Sequence, residues 1–390
     1  MISIRKLVLN FLMLAIAICF PGSSCASDML SVADLTAAYN KLDLSINNGD
    51  GFSLLNNDQG GLAWGESYIL MSYLDMFEAT KNVVYLDKFF RHANRIIANT
   101  DKDRKIVDYK GRSLVGWGSN KYSNNSERVM FLVHSGMITY PLVKFYSIVT
   151  KNGLQSKYPG AKKLVDLSVA ALSVFDKNWV YDKGLKEGYY TFERDTPIRF
   201  NTPNAALPVP FNQQLVAGSA FITIYSINGN PDSFDKASGL AMHFKNRMRT
   251  NKDGAFVWDY WYGEGFKKYS SIETTSYAAI DVDFLILAYK NGIIFTRNDI
   301  DKILNTYRKY ICKNDGFAPY IDGTDKSFAY IDAPWLELSN YDCSVWDDFT
   351  TFVGKQRHLH ETMQMLNIAK LLKYYDVCQP KKFVVPANTN

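Results

Sequence analysis

Cysteine is scarce, with five in 390 residues, too few for a disulfide-stapled scaffold. Proline (12) and glycine (24) are too sparse for a collagen or low-complexity chain. Neither sign of charge dominates: 44 Lys+Arg stand against 39 Asp+Glu, a net charge of +5. With 47% hydrophobic residues, that balance excludes a disordered chain. No Lys/Arg stripe interleaves with aromatics, so a nucleic-acid groove is excluded. Phosphate loops, nucleophile elbows and EF-hand loops are missing. The cysteine spacings match no zinc motif, and neither metal nor cofactor is expected. What the chain has in excess is rings: 25 Tyr, 24 Phe and 7 Trp, 14% aromatic. The functional question is whether they fill a core or line a site.

The amino terminus reads as a targeting segment. Arg5 and Lys6 precede an apolar run, Leu7 to Phe20, that ends at Pro21 and the small residues Gly22-Ser23-Ser24-Cys25-Ala26. This is the pattern of a cleaved signal peptide over residues 1–26, with cleavage after Ala26. The run is short for a membrane anchor, and Gly22 stands where a lipid anchor on Cys25 would call for an aliphatic residue. No later stretch is apolar enough to span. The mature chain, 27–390, is expected to be secreted or periplasmic, free of the membrane and monomeric. Its net charge falls from +5 to +3 with the loss of Arg5 and Lys6. Cys312, Cys343 and Cys378 remain, which allows one disulfide and one free thiol. Cys312–Cys343 is the expected pair, although sequence alone does not fix connectivity.

From Leu30 onward apolar residues recur at three- and four-residue spacing, the signature of helices. Blocks fall at Val32–Ile46, Leu62–Thr80, Val83–Ala98, Gly136–Val149, Ala161–Phe175, Phe211–Ile227, Phe234–Met248, Thr274–Tyr289, Asn298–Ile311 and Gln356–Tyr375. Members alternate in character. Leu62–Thr80, Phe211–Ile227 and Thr274–Tyr289 are apolar nearly all round and must be buried all round. The blocks that follow them are amphipathic. This describes an inner ring of helices within an outer ring, all-α, in one domain with its core at about 30–376. Twelve helices would fit the length. The long irregular stretches 101–133, 179–209, 250–273 and 313–355 are candidate functional loops.

Gly60-Gly61-Leu62-Ala63-Trp64-Gly65-Glu66-Ser67-Tyr68, followed by Thr80 to Leu86, resembles the "G-hydrophobic … T-G-D-x-x-Y-L" helix pair of the (α/α)-toroid superfamily. Asn228 to Phe234 resembles a second copy of that connection. The superfamily holds glycoside hydrolases, polysaccharide lyases and the C-terminal domains of glucuronyl C5-epimerases. The resemblance implies an (α/α)6-type barrel with its substrate cleft at the N-terminal ends of the inner helices.

Candidate chemistry is therefore sought at those helix starts. Glu273, Tyr277 and Asp281 fall at i, i+4 and i+8, a polar stripe on one helical face, with Asp283 beside it. A buried carboxyl there is a candidate acid or base; equally, Ser270-x-x-Glu273 fits a capping box. His134 precedes Ser135, a plausible N-cap, and could move a proton near neutral pH, or bond a loop carbonyl. Asn212 and Gln213 could bond sugar hydroxyls or cap the helix. Trp64 and Glu66 start the second helix. Trp117 lies in a polar loop, and Trp258, Tyr260 and Trp261 form an aromatic cluster. Each ring could stack on a pyranose or simply be buried. Arg194 or Arg199 could grip a carboxylate. His358-Leu359-His360-Glu361 is set aside as a metal site, because i and i+2 face different ways on a helix. Asn124-Asn125-Ser126 is a glycosylation acceptor only in a eukaryotic host.

These readings converge on an exported enzyme acting on a polysaccharide or oligosaccharide, acidic or neutral. The lean is toward uronate lyase or epimerase chemistry through Tyr277 or His134. Alternatives are a hydrolase pairing Glu273 with Glu66 or Asp283, and a non-catalytic glycan-binding protein.

Overall fold

A computed structural model describes residues 31–198, 207–262, 271–313, 316–325, 331–352 and 360–379. The signal-peptide segment, Arg199 and Ser270 lie outside them.

Among the described residues twelve α-helices run in order. They are α1 (Val32–Ser45), α2 (Ser67–Thr80, entered through a π-turn Leu62–Glu66), α3 (Val84–Ile97), α4 (Leu132–Lys151), α5 (Ala161–Ser173), α6 (Phe211–Asn228) and α7 (Pro231–Lys245). Then follow α8 (Thr275–Lys290), α9 (Arg297–Thr306), a 3-10 helix Ala333–Asn340, α10 (Ser344–Phe352), α11 (Glu361–Lys373) and the short α12 (Tyr375–Cys378). Among the described residues three two-stranded hairpins decorate the loops. No helix among the described residues is long and apolar enough to cross a membrane.

Local chemistry sets the boundaries. Ser31 and Asp34 close a capping box on α1. Asn230 caps α7 by accepting from the Asp232 and Ser233 amides, with Pro231 at the first helical position. The two connections singled out in the sequence end alike. Lys81 (φ 58°) and Gly229 (φ 68°) both adopt the left-handed conformation and donate back to Phe77 and Tyr225.

The helices form two rings. In the inner ring α2 packs on α4, α4 on α6, α6 on α8, α8 on the 3-10 helix, that helix on α11, and α11 back on α2. Outside them α3, α5, α7, α9, α10 and α1 back onto the six in turn. Burial follows: α6 is buried on nearly every face, whereas α3 buries Tyr85, Leu86, Phe89, His92, Ala93 and Ile96 along one stripe. Close contact between inner helices requires small residues. A Cβ on Gly136 of α4 would lie 2.7 Å from Val216 and 2.8 Å from the Ala217 amide of α6.

The seam where α2, the 3-10 helix and α11 meet is ionic. Lys370 reaches Asp75 at 3.1 Å and Glu337 at 2.7 Å, and Lys373 reaches both at 3.0 and 3.2 Å. Burial alone would raise the Asp75 carboxyl, but Lys370, Lys373 and Lys144 hold it below the usual range.

Three sequence expectations change. The disulfide joins Cys343 to Cys378, not Cys312 to Cys343. Cys343 opens α10 beside α12, whereas Cys312 sits half-buried at a hairpin and remains a free thiol. The stretch 313–355 is not one loop, since it holds the 3-10 helix and α10. Helix α4 begins four residues earlier than its periodicity suggested, so Ser135 lies inside it and Phe131 is its N-cap.

Candidate functional site

A cavity of about 700 Å³ opens where inner helices begin. Trp64 and Tyr68 from the start of the α2 segment wall one side, with Phe52, Tyr122 and Lys121 from neighbouring loops. Ser276 of α8, Asp332 at the head of the 3-10 helix, and His360, Glu361, Thr362 and Met363 at the head of α11 complete it.

Asp332 is the group the sequence reading missed. It is 8% exposed, and its Oδ2 accepts a hydrogen bond from Ser276 Oγ at 2.5 Å. Burial pushes its carboxyl up to about 7, against the smaller lowering effect of that bond. A carboxyl that titrates near neutral pH on the wall of a ring-lined cavity is equipped to be a general acid. Glu361, exposed on the first turn of α11, is a second carboxylate on the same cavity. Of the stretch His358-Leu359-His360-Glu361, expected within a helix, the first two residues lie outside the described ones. Instead His360 is the N-cap and Glu361 the first helical residue, and both line the mouth.

Of the expected site residues, Trp64 lines this cavity and His134 stands behind it. His134 is 1% exposed. Trp64 Nε1 donates to its Nε2 at 3.1 Å, and Asn57 Nδ2 lies 3.1 Å from its Nδ1. The Asn57 amide is oriented by bonds to Trp117 O and from Ala63 N. Nε2 therefore accepts from the indole, and a second proton on the ring would displace that bond. Burial, with a smaller contribution from Lys121, drives its pKa down to about 3. In this arrangement His134 orients Trp64 and is a neutral imidazole near neutral pH.

The stripe of Glu273, Tyr277 and Asp281 is broken by the helix boundary. Thr274 is the N-cap of α8, accepting from the Tyr277 amide, so Glu273 lies outside the helix. Tyr277 is 48% exposed, while Glu273 and Asp281 are fully buried. Asp281 accepts from Trp258 Nε1 at 2.9 Å, and Glu273 accepts from the Thr274 amide at 2.8 Å. Each keeps one oxygen without a hydrogen bond. Burial, and for Glu273 also the charge of Asp281, pushes both carboxyls well up. Above them Tyr260 accepts from Gln213 Nε2 at 2.9 Å and stands 5.7 Å from the Tyr277 ring. Asn212 is buried, with its Oδ1 lacking a partner.

None of the carboxylates expected to pair in a hydrolase, Glu273, Glu66 and Asp283, lines this cavity. Glu66 is fully buried, accepting from the Phe52 amide at 2.6 Å and bonding His92 Nδ1 at 2.7 Å. Asp283 lines a different cavity of about 460 Å³ at the opposite mouth, among the last turns of α2, α4, α6, α8 and α11. Three tryptophans expected at the cleft are core. Trp117, Trp258 and Trp261 are at most 1% exposed, and their N–H groups reach Ile96 O, Asp281 and Pro208 O.

No protein-family model and no curated protein sequence matches the chain. Solved structures do. A family 76 α-mannanase of Bacteroides thetaiotaomicron aligns with a TM-score of 0.56 over 89% of this chain and 97% of its own, at 9% identity. The α-1,6-mannanase of Salegentibacter sp. HEL1_6 gives 0.53 over 88% and 99%, at 11% identity. A variant of it, inactive through replacement of two aspartates, is known with α-1,6-mannotriose, at 0.51, 12% identity and coverage of 88% and 98%. A family 76 mannosidase of Bacteroides thetaiotaomicron VPI-5482 gives 0.53 over 89% and 98%, at 13% identity. The fold is an (α/α)-toroid, as the helix order and the closed inner ring also show.

Proposed function

We propose that the chain is a carbohydrate-active enzyme, a glycoside hydrolase that takes a glycan across the N-terminal mouth of the toroid. The observation that carries this reading is Asp332, a buried carboxyl that titrates near neutral pH on the wall of the cavity that Trp64 lines. Asp332 would donate its proton to the departing glycosidic oxygen, with Ser276 holding its other oxygen in place. Glu361 is the carboxylate available for the second role, as base or nucleophile. Trp64 and Tyr68 offer ring faces for the apolar side of a pyranose. The mannanases of like fold, one of them known with mannotriose, support a glycan partner.

A lyase or epimerase would ask His134 or Tyr277 to move a proton at the sugar ring. The buried, neutral imidazole of His134, its Nε2 engaged by Trp64, argues against its part in that chemistry. Export is part of the proposal. It rests on the leader pattern of residues 1–26, and the Cys343–Cys378 bridge supports it.

The test is turnover of a panel of neutral and acidic polysaccharides by the wild type and by Asp332→Asn. New reducing ends from the wild type, lost in the variant while its fold and glycan binding persist, support hydrolysis. Unsaturated products would instead favour a lyase, and binding without alteration a non-catalytic role.

A further inference from the structure

We propose that the cavity under Trp64 continues into a second, amide-lined chamber that holds further neutral sugar units of the same substrate. The substrate is then a chain of several units and not a free mono- or disaccharide. This rests on the glycan reading of the mouth and adds a second site to it.

The two spaces are contiguous. The cavity at the mouth, about 700 Å³, and an open chamber of about 720 Å³ over the 119–126 loop share Gln59 and Lys121 in their walls. Each lies within the usual range for ligand sites, and their linings differ in kind. The first has rings and carboxyls. The second has the side chains of Gln59, Asn120, Ser123, Asn124, Asn125 and Ser126, with Lys121 its one charged residue. Carboxamides and hydroxyls pair with vicinal sugar hydroxyls without a charged partner, and six of the seven lining residues are of that kind.

The loop is fixed from beneath. Asn120 N donates to Asp58 O at 3.0 Å, and Asn120 Oδ1 accepts from Arg128 Nη1 at 2.9 Å. Arg128 is itself anchored on Asp101 and Asp58. Asn124 Nδ2 donates to Ile198 O at 2.8 Å, so this amide of the apparent glycosylation motif has a structural partner. Asn125 and Ser126 are held in the left-handed region, at φ 55° and 56°, a costly conformation that persists only where surroundings over-determine it. Meanwhile the Gln59 and Asn125 amides and the Ser126 hydroxyl make no hydrogen bond with another described residue. A loop tied down at Asn120 and Asn124 thus presents unengaged amide and hydroxyl groups to the end of the candidate cleft.

The experiment is a binding titration of wild type and an Asn125→Gly/Ser126→Gly variant. Glycine accepts both left-handed positions, and a thermal melt checks the fold. The probes are α-1,6-manno-, β-1,4-gluco- and uronate oligosaccharides of two to six units. For a neutral series that binds, the wild type should tighten with length. The variant should lose about tenfold on the longest members and less than twofold on the shortest, as loss of one or two hydrogen bonds implies. Equal affinities for the two proteins at every length, or preference for the uronate series, overturn the second chamber and leave the mouth intact. Failure of every series to bind the wild type sinks the glycan reading itself, and this inference with it.

Discussion

The Ser276 hydroxyl donates to Asp332 Oδ2 at 2.5 Å, joining the first turn of α8 to the head of the 3-10 helix across the toroid mouth. Two inner-ring neighbours thereby position one buried carboxyl. The cost of that burial has a sign that can be measured.

The Asp332 carboxyl stands at about 7 in the fold, against an ordinary value of 3.8. The folded state therefore holds a proton that the unfolded state releases between those values. Its full stability is present below pH 4 and declines as pH rises through 7. Asp332→Asn removes this penalty, so above pH 7 it should stabilise the protein by roughly 2–4 kcal/mol while ending turnover. Chemical denaturation of both proteins at pH 5 and pH 8 checks this. A variant less stable at pH 8 would contradict it.

Glu273 and Asp281 predict a similar trend without a catalytic loss. Both carboxyls are raised by burial, with one oxygen each lacking a hydrogen bond. Their stability contribution is thus present in acid and lost as pH rises. Glu273→Gln should raise the melting temperature more at pH 8 than at pH 4, and should leave kcat within about threefold, since loss of a true acid or base costs about a hundredfold or more. Thermal melts and initial rates measure both. A hundredfold fall in kcat would restore Glu273 as a catalytic residue.

His134 should remain neutral far below its ordinary range. Its ring resonances should not titrate between pH 5 and 8, in keeping with a pKa pushed down to about 3. His134→Ala strips Trp64 Nε1 of its acceptor and should cost about 1–3 kcal/mol of stability. It should raise KM by misplacing Trp64, without removing any limb of the pH–rate profile. A titration midpoint near 6.5 would contradict the assignment.

The disulfide makes a chemical prediction. Cys343 and Cys378 close a loop with a sequence separation of 35, so Cys378→Ser should cost roughly 3–4 kcal/mol. Cys312→Ser should be nearly neutral. Burial pushes the Cys312 thiol up to about 12, so it should resist alkylation at pH 8 in the native protein. Rapid labelling of Cys312 before unfolding would count against its placement.

The ring architecture was legible in the sequence because a helix buried on all faces differs in composition from one that meets water. Leu62–Thr80 and Phe211–Ile227 are of the first kind, and Val83–Ala98 is of the second. The 3-10 helix Ala333–Asn340 was not legible, since eight residues with proline in the first turn carry no 3.6-residue period. That gap hid Asp332, which heads this helix. Trp117, Trp258 and Trp261 misled for a related reason. Their loops are polar, yet the loops fold inward and each indole N–H finds an oxygen acceptor, so local polarity did not report burial. For His134 the error was a single boundary. An earlier start to α4 moved it from the rim into a wall, where it still touches the site through Trp64.

The measurement that most directly tests the account is the pH dependence of kcat/KM for the wild type and Ser276→Ala on a hydrolysed glycan. A general acid works only while protonated, so the wild-type rate should fall on a basic limb near pH 7. The bond from Ser276 lowers the Asp332 pKa. Its loss should therefore shift that limb to higher pH, while Asp332→Asn abolishes the rate. A profile flat from pH 6 to 9, or an Asp332→Asn variant that still turns over, would contradict the assignment of Asp332 as the proton donor.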